Sequence, residues 1–128
     1  MPLEPGLSAQ VRHTVTDDDT ALALRSGDVP VLATPRVVGL AEEATVAAVE
    51  GTLEPGTTTV GYRVQFDHLA PTAVGGVVTA EAVLETIEGR RLTFRVSVSD
   101  AHGLVAAGRI TRVVVERARF IEKAGGGA

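Results

Sequence analysis

Thr34-Pro35-Arg36-Val37-Val38-Gly39-Leu40-Ala41-Glu42-Glu43-Ala44-Thr45-Val46-Ala47-Ala48-Val49-Glu50 is the stretch on which the fold turns. Threonine is a good helix N-cap, proline suits the first helical position because its missing N–H would be unpaired there anyway, and Gly51 can end the run. At about 100° per residue, Arg36, Glu43 and Glu50 fall on one narrow polar stripe, and Val37, Val38, Ala41, Ala44, Thr45, Ala48 and Val49 cover the far side. An apolar arc that wide suits a helix wrapped by a sheet better than one lying on a surface. Gly39 and the alanines allow close backbone approach. Glu42 breaks the pattern, standing between Val38 and Val49. Two readings of it stay open: a carboxylate at the apolar boundary that reaches water, or an inward one that needs a partner or a proton.

Working outward, the flanking segments have the period of strands. Leu7, Ala9, Val11, His13 and Val15 alternate with polar residues up to Thr16, and Asp17-Asp18-Asp19-Thr20 can stop the strand and cap a short helical turn over Ala21 to Leu24, ended by Ser26-Gly27. After the turn Glu54-Pro55-Gly56, Val60, Tyr62, Val64, Phe66 and His68 share one face of a strand. Further strands are predicted over Val77 to Glu88, Leu92 to Ser99 and Leu104 to Glu116, with a short helix from Ala118 to Ala124. One strand, one long helix and four hairpin-linked strands make an α+β arrangement with an antiparallel sheet curled around a central helix, the hot-dog fold.

The 128 residues suffice for one domain with a real core and not for two, so residues 1–128 are read as a single domain with a flexible glycine-rich tail from about 125 to 128. Without cysteine there are no disulfides, thiolate metal sites or thiol nucleophiles. The start Met1-Pro2-Leu3-Glu4-Pro5-Gly6 is no signal peptide, nothing approaches a membrane span, and the expected location is the cytoplasm. A net charge of −4 with three Phe and one Tyr argues against nucleic-acid binding. Arg109, Arg112, Arg117, Arg119 and Lys123 outnumber Glu116 and Glu122 near the C-terminus, which fits either a solvated face or a contact with a small anion.

There is no phosphate loop, dinucleotide glycine fingerprint or HExxH, and the three histidines are too scattered for a metal site, so neither metal nor bound cofactor is expected. His102 lies in a turn and should be exposed. His13 sits in the apolar register of the first strand and reads as a satisfied core or interface residue. His68 ends a strand with an apolar approach, a placement that serves a structural histidine or a general base. Thr34 reads as the helix cap, and its hydroxyl also stands where the helix dipole favours a developing anion.

The run Val31-Leu32-Ala33-Thr34-Pro35-Arg36-Val37-Val38-Gly39-Leu40-Ala41-Glu42 resembles the helix entry of the fluoroacetyl-CoA thioesterase family. Leu53-Glu54-Pro55-Gly56, Val60-Gly61, His68, the hairpin Glu88-Gly89-Arg90-Arg91-Leu92 and Gly108-Arg109-Ile110-Thr111-Arg112 extend the likeness over roughly residues 7 to 123. The resemblance implies a homodimer, or dimers paired into a tetramer, with sites at the dimer interface, hydrolysing a small acyl-CoA thioester. Thr34, Glu42 and His68 match its catalytic group, Gly61 the glycine that places the thioester carbonyl, and Arg112 an arginine near the substrate. The family's lid carries phenylalanines, whereas Arg25 to Val31 holds no aromatic residue, so strict fluoroacetyl selectivity is not expected. A non-catalytic acyl-CoA or small-ligand binding module and a hot-dog enoyl-CoA hydratase are the alternatives.

Overall fold

Alternation of apolar and polar residues, punctuated by glycine turns, produces five strands, and the Thr34 segment produces the one long helix. A computed structural model describes residues 1–125; the rest of the predicted tail, 126–128, lies outside the described residues. In chain order the elements are β1 (Ser8–Thr14), a 3-10 turn (Asp17–Asp19), α1 (Ala21–Leu24), α2 (Thr34–Ala48), β2 (Thr57–His68), β3 (Val77–Glu88), β4 (Arg91–Asp100), β5 (Gly103–Glu116) and α3 (Arg117–Lys123). The strands form one antiparallel sheet in the order β1-β3-β4-β5-β2, with α2 across its inner face, as the hot-dog reading expects. Among the described residues no helix is long and apolar enough to cross a membrane.

The helix buries Val37, Leu40, Ala41, Ala44, Thr45 and Ala48. They meet the inward rows of the two central strands, Val78, Ala80, Ala82 and Leu84 from β3 and Leu92, Phe94, Val96 and Val98 from β4. Small residues on α2 and β3 bring the two backbones together, and the large side chains of β4 fill the rest. Each fully buried Leu or Phe contributes about 1.5–3 kcal/mol relative to exposure. The buried stripe sits slightly round from the predicted arc: Leu40 is buried, Val38 only half-buried, and Val46 is 49% exposed beside Glu42.

Two local readings need correction. Thr34 is the first helical residue and Ala33 the N-cap, with no side-chain cap bond, so the Thr34 hydroxyl is free for another partner. In β2 the even-numbered residues from Val60 to His68 do not share one face. Gly61 pairs with Arg112 and Arg63 with Thr111, which leaves Tyr62 as an extra residue in a β-bulge. A bulge inverts the parity of everything beyond it. Thr59 and Gly61 therefore face inward before the bulge, opposite Val114 and Arg112, and Val64, Phe66 and His68 face inward after it, opposite Ile110, Gly108 and Ala106. The bulge thus turns both Gly61 and His68, an odd number of residues apart, toward the helix.

Candidate active site

The side chains singled out by the sequence gather in two groups, at opposite ends of β2. The first lies where α2 begins. The Ala33 amide bonds the Asp19 carbonyl at 2.9 Å and the Leu32 amide the Thr72 carbonyl at 2.9 Å, which fixes the chain as it enters the helix. At the end of β2 the Leu69 and Ala70 amides both turn to the Val105 carbonyl, at 2.7 and 3.2 Å, and hold His68 at the strand's last position. These anchors bring Thr34 Oγ1 within 2.7 Å of His68 Nδ1. With the hydroxyl donating, the contact has the geometry that a nucleophile and its base require. His68 Nε2 is buried and has no partner among the described residues. Leaving such a nitrogen unpaired costs about 1–3 kcal/mol, so it marks a place where a further polar group belongs. A cavity of about 340 Å³ opens beside the pair, walled by 26–31 on one side and 69–71 on the other.

The second group lies against the middle of α2. Arg112 is buried, with Nε donating to Thr59 Oγ1 at 2.9 Å, Nη2 to the Thr59 carbonyl at 3.0 Å and Nη1 to Glu42 Oε2 at 3.2 Å. Burial pulls the Arg112 guanidinium below its ordinary value, and the Glu42 carboxylate opposes that pull. Gly61 completes the group, because a Cβ there would stand 2.8 Å from Glu42 Oε2. The missing side chain is what lets the carboxylate lie against the β2 backbone. The Glu42 side chain keeps 37% exposure, on the wall of a cavity of about 780 Å³ shared with Val46, Arg112 and Arg117. Glu42 thus fits neither simple reading: it turns inward to a cationic partner and still meets the cavity.

Thr34 meets His68, and Glu42 meets Arg112 and Gly61; within one chain the two groups stay apart. Eight helical residues separate Thr34 from Glu42, roughly 12 Å along the axis, and seven strand residues separate Gly61 from His68, roughly 20 Å. His13 is half-buried and bonds Asp19 through Nε2 at 2.8 Å, a satisfied residue as its register suggested, and His102 is exposed. Thr59 escaped the sequence reading, because a threonine in the run Thr57-Thr58-Thr59 gives no sign that it faces an arginine 53 residues away. So did the cluster around Asp19, whose carboxylate also accepts from the Thr16 amide at 2.7 Å and Arg36 Nε at 3.0 Å. Among the described residues no three His, Asp or Glu side chains are grouped as metal ligands would be.

Comparison with known proteins bears on this geometry. The family described as fluoroacetyl-CoA-specific thioesterase matches residues 15–118. A fluoroacetyl-CoA thioesterase of Streptantibioticus cattleyicolor is 40% identical over 93 residues, 73% of this chain and 67% of that protein. A solved structure of the fluoroacetyl-CoA thioesterase is similar with a TM-score of 0.92 at 30% identity, covering 100% of this chain and 99% of the other. A thioesterase-superfamily member of Thermus thermophilus is similar with a TM-score of 0.89 at 30% identity, covering 97% and 92%.

Proposed function

The chain belongs to the fluoroacetyl-CoA-specific thioesterase family, and from that premise we propose that it hydrolyses a small acyl-CoA thioester as a homodimer whose two sites are each built from both chains. The 2.7 Å contact of the Thr34 hydroxyl with His68, beside a cavity, carries the reading. The separation of the two groups and the free edge of β2 support the dimer. Among the described residues that strand bonds only β5 and its other edge is open, and Gly61 to Gln65 are exposed. A long open edge invites pairing with a second copy. An antiparallel pairing about a two-fold axis through Gln65 keeps inward-facing residues opposite one another and, across the Tyr62 bulge, sets His68 against Gly61 of the partner subunit. It thereby carries Glu42 of the partner subunit toward the unpartnered His68 Nε2.

In this arrangement the Thr34 hydroxyl attacks the thioester carbonyl while His68 takes its proton, and His68 then passes that proton to the departing coenzyme A sulfur. Glu42 orients the water that next releases the acid, and the Gly61 amide faces the carbonyl oxygen as negative charge grows there. One thioester and one water give one carboxylic acid and one free thiol. Neither metal nor bound cofactor enters the scheme.

A subunit-mixing experiment tests both halves. Glu42→Gln and His68→Ala are each expected to be nearly inactive in a thiol-release assay. Random exchange between them makes half the dimers mixed, and each mixed dimer holds one intact site, so the mixture should recover about a quarter of normal activity. Mixed dimers that form and stay inactive would overturn the shared site. Normal activity in either parent would overturn the assignment of that residue.

A further inference from the structure

The smaller cavity has a composition that bears on what it takes. Its walls come from Ser26, Asp28, Val29 and Val31 on the segment before α2 and from Leu69 and Pro71 after β2, with Thr34 and His68 also on its lining. The wall before α2 is held at its base by the bridge between Thr20 and Leu32 and by the Ala21 amide on the Val31 carbonyl at 2.9 Å. Its tip makes little contact with the rest of the chain: residues 22–30 are all exposed. Val29 at 49% and Leu69 at 61% exposure give the cavity an apolar rim open to solvent. Asp28 is the one carboxylate on the lining, and among the described residues no Arg or Lys stands there.

Resting on the thioesterase reading, we propose that this cavity is the acyl subsite, that it takes compact uncharged acyl groups larger than acetyl, and that Val29, Leu69 and Asp28 set this preference. At about 340 Å³ it is more than twice the roughly 150 Å³ cavity that accommodates a benzene ring, so acyl groups of about four to eight carbons fit. An acetyl group, with two carbons in a cavity of about 340 Å³, would leave most of the apolar lining in water. The coenzyme A arm is a poor fit for the same space, since its phosphates would meet Asp28 and no cation. The larger cavity beside Glu42 has the volume for that arm, and Arg117 on its wall. A dicarboxylic acyl group such as succinyl would place its free carboxylate against the Asp28 side of an apolar cavity, and both terms oppose binding.

Thiol release measured over acetyl-, butyryl-, isovaleryl-, phenylacetyl- and succinyl-CoA reads this out. Because one added methylene in an apolar pocket is worth about tenfold or more, kcat/KM should rise at least tenfold from acetyl to butyryl and stay high for phenylacetyl. Succinyl should fall at least tenfold below butyryl, and Asp28→Asn should narrow that gap. Val29→Phe, a change at an exposed position that the fold tolerates, should shift the preference back toward acetyl. A flat profile, or one that falls from acetyl to butyryl with Val29→Phe making no difference, overturns the subsite and leaves the hydrolase reading standing. No thiol release from any member overturns the hydrolase reading, and the subsite with it.

Discussion

The two ends of β2 hold their functional side chains in opposite ways. At the Glu42 end, one buried guanidinium ties Thr59 of the edge strand to Glu42 on the helix, and every nitrogen of Arg112 has an acceptor. At the Thr34 end, a single hydrogen bond joins an exposed threonine to a half-buried histidine, and the other histidine nitrogen has no partner among the described residues. The first group is satisfied within the chain and rooted in the sheet. The second is incomplete and borders a wall whose tip is exposed. A complete network resists rearrangement, whereas an unpartnered buried nitrogen accepts a newcomer without first losing a bond. The Thr34 end is therefore where chemistry is expected, and in the proposed dimer the Glu42 end is the rigid piece presented to it.

The largest expected effect breaks the incomplete end. His68→Ala removes the proposed base and should lower turnover by about a hundred- to ten-thousand-fold. Thr34→Ala should do nearly the same, and the double substitution little more than either alone, because residues that act as a unit are not additive. Stability should change little in both, since the hydroxyl is exposed and the imidazole leaves behind no buried partner. Steady-state rates and melting curves for the three variants check this. Additive losses would show that the two side chains act independently.

A smaller effect sharpens the comparison at the complete end. Gly61→Ala would place a Cβ 2.8 Å from Glu42 Oε2, the far end of a flexible side chain, and the carboxylate must swing away. Gly61 is not among the glycines at positive φ, so the backbone accepts alanine without strain. The melting temperature should fall only modestly, since Arg112 keeps both Thr59 acceptors, while turnover drops about ten- to a hundredfold, the usual consequence of a catalytic group moved by an ångström or so. Gly108→Ala is the contrasting control. Its Cβ would overlap the Gln65 backbone, so it should lower the melting temperature steeply by displacing β2, and turnover with it.

The sequence-to-structure correspondence divides along the same physical line. Helix and strands were legible because each buries one face, and burial at a fixed period leaves a mark in composition: Val78 to Leu84 and Leu92 to Val98 alternate as the sheet requires. Glu42 was legible as the one acid inside an apolar arc. The Tyr62 bulge was not, because Val60, Tyr62 and Val64 are all apolar and their alternation looks the same whether the strand is regular or shifted. Without the bulge, Gly61 and His68 would be assigned to opposite faces. The helix cap was misplaced by one residue because threonine and proline signal an entry without saying which residue enters. Thr59 left no trace, since its role depends on a partner across the sheet and not on its neighbours in sequence.

The smallest expected effect concerns what holds the incomplete end in place. Asp19 is buried between β1 and the first turn of α2 and accepts from the Thr16 amide, His13, Arg36 and the Thr16 hydroxyl. Its own carbonyl takes the Ala33 amide next to Thr34. Burial pushes the Asp19 carboxyl up, but these four bonds outweigh it and hold the group well below the ordinary value of 3.8. Below that ordinary value the unfolded chain takes up a proton and the folded chain does not, so stability falls as the pH falls. The contribution is fully present above about pH 5 and shrinks as the pH drops through the ordinary carboxylate range toward the folded value. Arg36 is shared with Glu43 at 3.4 Å, an exposed contact that adds little. Asp19→Asn should therefore lower the melting temperature at pH 7 and flatten its decline between about pH 5 and pH 3, where the carboxylate's contribution is lost. Thermal melts of both proteins across that range check it. Parallel curves would mean that the carboxylate's charge is not what fastens the entry to the helix, and that the backbone bonds of Asp19 and Ala33 suffice to place Thr34.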